Sequence, residues 1–214
     1  MYGILHSPEY RKRFASNLGK ELPRIPLAKD FLAFMQAGRE LADIHLHYET
    51  ADRYPVREAW TGEPGQAQFE EVSAADGSPL TPRILNPGRT EKMTYPNKVK
   101  DPDTGKKTND LSTLQVSENV QLQNIPTRAY DYMVNGKSAI AWLIDRYRVT
   151  TDSKSGIVND PNDYSPDPRY IVDLVERVIT VSMRTLDIMD ALPPIEELPQ
   201  TTNWPKEWNV MQQD

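Results

Sequence analysis

Apolar residues recur at helical spacing in four separate stretches of the chain. This spacing, together with the capping residues and prolines that bound each stretch, predicts helices near residues 8–18, 30–46, 138–147 and 168–192. The last helix is the longest, and its apolar stripe stops before Pro193-Pro194. Helices are therefore predicted on either side of a central region with a different pattern.

The central region, residues 54–123, has short β-prone segments separated by turn-forming clusters of Gly, Pro and Asp. These segments are Gln68–Ser73, Lys92–Tyr95 and Thr113–Leu122. In the last one, apolar and polar residues alternate almost strictly, which indicates a strand with one buried side and one solvent-facing side. The whole pattern predicts an α+β fold: several helices, including a long C-terminal helix, with a small antiparallel sheet.

An aromatic-rich segment, residues 130–147, is interrupted by a turn at Asn135-Gly136. Glycine adopts positive φ at little cost and asparagine tolerates it, and Ser138 is placed to cap a following helix. These features predict a helix–turn–helix-like corner. The aromatic side chains have helical spacing, which favours packing in the core over a stacking surface. They are Tyr130, Tyr132, Trp142 and Tyr147.

The composition is that of an ordinary globular protein, with 38% hydrophobic and 26% charged residues in 214. The chain has no cysteine, which excludes disulfides, thiolate metal sites and a cysteine nucleophile. No apolar run is long enough to cross a bilayer, and the first residues lack the order of a signal peptide. A cytoplasmic protein is expected, since a cysteine-free chain fits a reducing compartment.

The net charge of −6 argues against a simple nucleic-acid-binding domain, because such domains are commonly basic. The charge is unevenly distributed, however. Residues 83–107 contain seven basic and three acidic side chains, whereas residues 187–214 contain six acidic and one basic. The field at a binding surface depends on the local arrangement of charge, so the acidic total does not exclude an anionic partner.

No catalytic motif is present. The sequence lacks a phosphate-binding P-loop, a dinucleotide-binding glycine fingerprint and a nucleophile elbow. His45, His47 and Glu49 form the only metal-like cluster, but on a helix their side chains diverge, and no third histidine lies near in sequence. We therefore expect no catalytic residue, no metal site and no cofactor in this chain.

The central region holds the residue types with which proteins contact DNA. Lys and Arg neutralise phosphates, and Arg, Lys, Asn and Gln hydrogen-bond to base edges in the major groove. Amide side chains along or just after the alternating segment are Gln115, Asn119, Gln121, Gln123 and Asn124. The candidate DNA-binding residues chosen from the region are Arg89, Lys92, Lys98, Lys100, Lys106, Lys107, Gln121 and Asn124. Taken alone, these residues are better explained as a solvated loop and the polar side of a sheet.

Separated blocks of the sequence resemble the C-terminal target-recognition region of single-chain Type ISP restriction–modification enzymes. The N-terminal block is YGILHSPEYRKRF, followed by LPRIPL and FLAFMQAGRELADIHLHYE. The later blocks are VNGKSAIAWLIDRY, GIVNDPNDY and the long segment YIVDLVERVITVSMRTLDIMDAL. The likeness covers roughly residues 2–49 and 119–192, and similar endings occur in Type IIG relatives.

The resemblance implies a DNA sequence-recognition module in residues 1–195, followed by a polar tail, residues 196–214. The implied partners are double-stranded DNA and an upstream methyltransferase domain of the same polypeptide. Adenine methylation and DNA cleavage would be carried out by upstream domains, with S-adenosylmethionine, ATP and Mg as cofactors, and this chain would be a fragment of the longer enzyme. The alternative is a helical protein-interaction or scaffold domain with no nucleic-acid role, in which the long helix docks a partner.

Overall fold

The computed structural model describes residues 1–20, 22–23, 25–71, 82–100 and 105–197. The chain divides into two compact units. The first consists of Met1–Asp43 together with the chain from Asp187 onward, and the second of Ile44–Leu186. The α+β class predicted from the sequence is confirmed, with several helices, a long one near the C-terminus and small antiparallel sheets.

Six α-helices lie in the described residues. They are α1 (Tyr2–His6), α2 (Pro8–Arg13), α3 (Ala15–Leu18), α4 (Phe31–Leu46), α5 (Ala139–Arg146) and α6 (Tyr170–Asp190). Short 3₁₀ helices occupy Tyr48–Thr50, Thr127–Asp131 and Pro161–Tyr164. Three of the four predicted helices correspond to α4, α5 and α6, and the first is divided at Phe14 into α2 and α3. None of the helices in this part of the chain combines the length and the apolar character that a membrane crossing requires.

The first unit packs its N-terminal helices around a small apolar core. Ser7 caps α2 as predicted, because its hydroxyl accepts a hydrogen bond from the backbone N–H of Tyr10 at 3.4 Å. Gly3 lies so close to α4 that a Cβ atom in its place would stand 2.3 Å from the carbonyl oxygen of Phe34. Only glycine permits this approach of α1 to α4. The buried core residues are Ile4, Tyr10, Ala28, Phe34 and Ile195.

The second unit contains eleven short strands in the described residues. They are β1 (Arg57–Trp60), β2 (Phe69–Glu70), β3 (Arg83–Ile84), β4 (Lys98–Lys100), β5 (Lys107–Asn109), β6 (Thr113–Gln115), β7 (Val120–Gln123), β8 (Met133–Val134), β9 (Lys137–Ser138), β10 (Thr150–Thr151) and β11 (Val158–Asn159). One sheet has three strands in the order β1-β7-β6. The antiparallel pairs β2-β3, β4-β5, β8-β9 and β10-β11 form separate two-stranded sheets.

The alternating segment Thr113–Leu122 folds back on itself, so its prediction as a single strand is wrong. β6 and β7 pair antiparallel, with Leu114 opposite Leu122 and Gln115 opposite Gln121. Directly opposed residues point to the same side of an antiparallel pair. Both leucines are therefore fully buried and both glutamines partly exposed. The predicted division into a buried and a solvent-facing side is confirmed.

The segment predicted as a helix–turn–helix-like corner is a β-hairpin that leads into a helix. Asn135 (φ 49°) and Gly136 (φ 83°) connect β8 to β9. Two consecutive residues with positive φ form the type I′ turn, whose twist matches that of paired strands rather than of helices. Ser138 caps α5 as predicted, its hydroxyl accepting from the N–H of Ala141 at 3.1 Å.

The core of the second unit lies between α6 and the buried side of the three-stranded sheet. The sheet contributes Leu114, Val120 and Leu122, which are fully buried, and the helix contributes Val175 and Ile179, also fully buried. Most residues of α6 between Ile171 and Leu186 are buried. The long helix is therefore an internal element of this unit.

Buried ion pairs connect α6 to the strands. Arg169, 3% exposed, donates to the two carboxylate oxygens of Glu58 on β1 at 2.7 and 3.0 Å. It also donates to Asp173 at 2.8 and 3.1 Å and to the carbonyl oxygen of Ile84 on β3. Arg83 on β3 donates to the second oxygen of Asp173. One end of α6 is thus fixed to β1 through buried charged groups and to β3 through the partly exposed Arg83.

Glu176 is the least well paired carboxyl group of this cluster. Its ion pair with Arg53 has a nitrogen–oxygen distance of 3.7 Å. Burial, reinforced by the neighbouring carboxylates of Glu58 and Asp173 and opposed by Arg169 and Arg53, raises the pKa of Glu176 to about 8. The folded protein therefore holds a proton that the unfolded chain releases near the ordinary pKa of 4.5. Because the folded state binds more protons, the free energy of unfolding is expected to fall as the pH rises from about 4.5 to about 8.

Urea unfolding at about pH 5 and about pH 8 measures this dependence. The variant Glu176→Gln carries a permanently neutral side chain and is expected to lose most of the difference between the two pH values. Asp145→Asn removes an exposed carboxylate and is expected to keep the wild-type difference. Full pH dependence in Glu176→Gln would show that another group is responsible.

Candidate nucleic-acid interface

The three-stranded sheet turns one side towards solvent. Arg57 lies opposite Gln123, Ala59 lies opposite Gln121, and Gln121 lies opposite Gln115 in the strand register. Opposed residues in antiparallel strands share a side, so these side chains form one continuous surface. We call this surface the amide face, and it consists of Arg57, Ala59, Thr61, Gln115, Gln121 and Gln123.

Hydrogen bonds hold the side-chain amides of this face in a row. The Nε2 of Gln123 donates to the Oε1 of Gln121 at 2.7 Å. The Nε2 of Gln121 donates to the Oε1 of Gln115 at 3.3 Å. The Nε2 of Gln115 donates in turn to the hydroxyl of Thr61 at 2.8 Å. The polar groups of the face therefore occupy fixed positions, as the members of a connected network do.

A groove of about 400 Å³ adjoins the amide face. It is lined by Thr61, Arg89, Glu91, Lys92, Gln115, Ser117 and Glu118. Two of the candidate residues, Arg89 and Lys92, are thus brought to the edge of the surface that carries Gln121. These three residues are separated in sequence and come together because Thr61 and Gln115 belong to both the groove and the face.

Arg89 is already engaged by carboxylates of its own chain. Its guanidinium group donates to Asp160, and to Glu91 at 3.5 Å. The hydrogen bond to Asp160 is the main cause that raises the pKa of Arg89. The side chain is 52% exposed, so an incoming phosphate could reach it but would compete with Asp160. Arg89 is therefore a weaker candidate for phosphate contact than an unpaired lysine.

Three exposed lysines lie on the β4-β5 hairpin. Lys100 is directly opposite Lys107, and Lys98 is opposite Asn109, so the three lysines share one side of this two-stranded ribbon. All three are exposed, and no acidic side chain in the described ranges forms an ion pair with them. Like charges directly opposite each other destabilise a strand pair. An anionic partner would relieve that repulsion, and we call this group, Lys98, Lys100 and Lys107, the lysine side of the hairpin.

The hairpin emerges from the edge of the sheet that carries the amide face. Before β4, Thr94 pairs with Gln115 on β6 through two backbone hydrogen bonds of 2.8 and 3.0 Å. After β5, the chain returns to begin β6 at Thr113. The lysine side is therefore carried on an extension of the same sheet. Lys106 is exposed and immediately precedes β5.

Asn124 follows the last residue of β7. It is exposed and has a φ of 62°, a left-handed conformation that asparagine adopts more readily than most residues. It directly follows Gln123, the last residue of β7 on the amide face. The other amide noted from the sequence, Asn119, lies in the β6-β7 connection, where its side chain donates to the carbonyl oxygen of Asn86 at 3.5 Å.

Arg57 and Thr61 were missed by the sequence analysis because β1 was not predicted. In the segment from Val56 to Thr61 the expected alternation is inverted, since Glu58 is buried while Ala59 lies on the solvent-facing side. A buried charge in a strand removes the signal on which a two-residue period depends. The ion pair with Arg169 explains the burial, and it is visible only in the fold.

The remaining candidates from the sequence take structural roles. His45 shares hydrogen bonds with the hydroxyls of Thr185 at 2.9 Å and Tyr132 at 3.2 Å. No cluster of three or more His, Cys, Asp or Glu in the described residues is arranged to hold a metal. Tyr130 and Tyr147 pack against the core, as predicted. Tyr132 stacks on His45, and Trp142 contacts the cationic groups of two neighbouring side chains.

A row of fixed amides beside exposed lysines defines a surface of the kind found in nucleic-acid-binding modules, which combine phosphate contacts with base contacts. Residues 1–174 match the Type ISP C-terminal specificity domain. The chain belongs to this family of specificity domains.

Solved structures of larger enzymes contain a similar fold. A nuclease-deletion mutant of the Type ISP restriction-modification enzyme LlaGI, in complex with a DNA substrate mimic, is 40% identical with a TM-score of 0.71, matching 92% of this chain and 16% of that chain. The ATP-dependent Type ISP restriction-modification enzyme LlaBIII, bound to DNA, is 38% identical with a TM-score of 0.68, matching 92% of this chain and 11% of that chain.

A DrdV–DNA complex shares the fold at 24% identity, with a TM-score of 0.67 over 92% of this chain and 18% of that chain. The chain therefore spans between 11% and 18% of the length of these proteins. No curated protein sequence gives a significant match.

Proposed function

We propose that this chain is the DNA sequence-recognition module of a Type ISP restriction–modification enzyme. Residues 1–195 form the C-terminal portion of its target-recognition domain, and residues 196–214 form a polar tail. The observation that carries the proposal is the position of the amide face next to the lysine side of the hairpin, in a member of this specificity-domain family.

The two surfaces have different tasks in this proposal. Phosphate contacts from the hairpin lysines, with Lys92, Lys106 and Arg89 beside them, set the position of the module on the duplex but carry no sequence information. Base contacts come from the amide face, where Gln121 lies, and from Asn124. In the major groove of B-DNA each base pair presents a distinct pattern of donors and acceptors, which amide side chains can recognise.

Chemistry on the DNA belongs to other parts of the enzyme. Adenine methylation and cleavage are carried out by upstream domains, which use S-adenosylmethionine, ATP and Mg, while this module decides where they act. The upstream methyltransferase domain of the same polypeptide is its protein partner. The share of the LlaGI and LlaBIII chains that this chain matches, 16% and 11%, leaves ample length for such domains.

A scaffold function finds less support. It would need the long helix to present a docking surface, yet most residues of α6 from Ile171 to Leu186 are buried in their own unit. The acidic net charge of −6 is its main argument, and six of the acidic residues lie in the segment 187–214. That segment is far in sequence from the hairpin and the amide face.

Site-directed cleavage of DNA tests the proposed surface. Because the chain has no cysteine, a single introduced cysteine gives a unique attachment point for an iron chelate that cuts nearby DNA. Asn109→Cys places the chelate on the lysine side of the hairpin, opposite Lys98. Arg184→Cys places it at an exposed position of α6, which packs against the opposite, buried side of the sheet.

Cuts confined to a few nucleotides of a duplex are expected from the Asn109→Cys conjugate at low salt, and only background cutting from Arg184→Cys. Low salt is chosen because the phosphate contribution to affinity is strongest there. Background cutting from both conjugates, or equal cutting from both, would contradict the proposal.

A further inference from the structure

The order of hydrogen bonds along the amide face assigns different tasks to its three glutamines. This inference rests on the proposed function and concerns which residue of the face selects a base. Gln115 and Gln121 lie opposite each other on neighbouring strands, and Gln123 lies two residues after Gln121 on the same side of β7. The three carboxamides form a chain with two distinguishable ends.

The inner end of the chain fixes its direction. The Nε2 of Gln115 lies 2.8 Å from the carbonyl oxygen of Ser117, 3.4 Å from that of Val120 and 2.8 Å from the hydroxyl of Thr61. A backbone carbonyl oxygen can only accept a hydrogen bond, so the NH₂ group of Gln115 must face inward. The Thr61 hydroxyl accepts from Gln115 and donates to a backbone carbonyl at 3.3 Å.

The direction then propagates outward. Since the NH₂ group of Gln115 faces inward, its oxygen faces Gln121, which must present its own NH₂ group at 3.3 Å. The oxygen of Gln121 is therefore turned towards Gln123, which presents its NH₂ group at 2.7 Å. The backbone at the inner end thus determines which way all three amides point.

The remaining hydrogen-bonding capacity increases along the chain. Both N–H groups of Gln115 are used by the three acceptors around them. Gln121 keeps one N–H and one lone pair of its oxygen, because its other N–H and the other lone pair serve the chain. Gln123 keeps one N–H and its whole carbonyl oxygen, for which the described residues supply no donor. The outer glutamine therefore retains the most capacity: one donor, together with a carbonyl oxygen that the chain of amides leaves unused.

A carboxamide with a free donor and acceptor matches one base in the major groove. Adenine offers the N7 acceptor and the N6 amino donor there, and glutamine bonds both at once. We propose that Gln123 selects an adenine in the target and that Gln115 is a positioning residue that orients it through Gln121. Arg57, opposite Gln123 on β1, is exposed beside this contact and suits a neighbouring phosphate or guanine.

Sequence selection from a pool of duplexes with randomised positions tests the assignment, using the whole restriction–modification enzyme that carries this module. The wild type is expected to favour adenine at one position by roughly 5- to 150-fold, the ratio given by one bidentate base contact. Gln123→Ala should lose this preference. Gln123→Glu should change it to cytosine, because a carboxylate accepts from the N4 amino group of that base.

The positioning role of Gln115 is tested by a separate comparison of variants. Gln115→Ala should weaken the preference at the same position, and combining it with Gln123→Ala should cause no further loss, since both changes remove one contact. A change in general stability would instead lower binding to every sequence and move the thermal midpoint. Gln66→Glu, the same chemical change at an exposed glutamine away from the face, serves as the control and should select the wild-type sequence.

The outcomes separate this inference from the proposed function. If the variants bind duplex DNA and select the same sequence as the wild type, the assignment to Gln123 is overturned while the DNA-binding function stands. If the wild-type enzyme binds no duplex at any salt concentration tested, both fail.

Discussion

Replacing Arg169 with methionine is expected to lower the free energy of unfolding by about 3–5 kcal/mol, the effect of removing one partner from a buried ion pair. The side chains of Glu58 and Asp173 are 5% and 4% exposed. Without the guanidinium group both carboxylates would stay buried with fewer partners. Methionine keeps the unbranched apolar stem of arginine and removes the guanidinium group, so the expected loss reflects mainly the two carboxylates left without this partner.

Urea unfolding measures this change, and Lys29→Met provides the control. Lys29 forms an ion pair with Glu196 in which both side chains are more than half exposed, at 64% and 59%. Exposed pairs contribute little because water screens them, so the control midpoint should match that of the wild type. Similar midpoints for Arg169→Met and Lys29→Met would show that the buried cluster does not hold the unit together.

The same cluster bears on the proposed interface. Glu58 lies on the buried side of β1, between Arg57 and Ala59 of the amide face. Arg169 donates hydrogen bonds to both of its carboxylate oxygens. A one-residue change of register would exchange the two sides of the strand. The ion pair therefore specifies which side chains of β1 face solvent.

The helices could be predicted because their signals are local. The cap at Ser138 and the apolar stripe of α6 each lie within one segment, so spacing alone is informative. The signal of the Asn135-Gly136 turn was also local, but the structure that it forms depends on the segments that it joins. The same dipeptide that interrupts a helix forms a type I′ turn when the flanking residues pair as strands.

The candidate site could be predicted only in part, because its geometry depends on distant residues. The lysines of the hairpin were found from local charge density alone. By contrast, the bond between Gln115 and Thr61 joins residues 54 apart in sequence, and the ion pair between Glu58 and Arg169 joins residues 111 apart. No local sequence pattern indicates such pairings. The direction of the amide row and the position of Arg57 on it could therefore be seen only in the structure.

Replacing Lys98, Lys100, Lys106 and Lys107 together with alanine is expected to weaken duplex binding by roughly a hundredfold or more at about 0.1 M salt. Each lysine that neutralises a phosphate releases a condensed counterion. Each lost contact should therefore lower the magnitude of the slope of log K against log salt by about 0.9. The measurement uses the complete restriction–modification enzyme, since its methyltransferase domain is proposed to hold the other side of the duplex.

A matched set of four lysines separates direct contact from the effect of net charge. Lys12, Lys20, Lys29 and Lys154 are exposed and lie outside the hairpin, and replacing them with alanine changes the net charge equally. This control should keep most of the affinity for duplex DNA and most of the slope.

Variants of Gln121 and Asn124 should instead change the preference among target sequences more than the overall affinity, because base contacts specify and phosphate contacts position. Equal slopes in the hairpin variant and the control would place the DNA on another surface of the module, and unchanged affinity, slope and preference in every variant would favour the scaffold function.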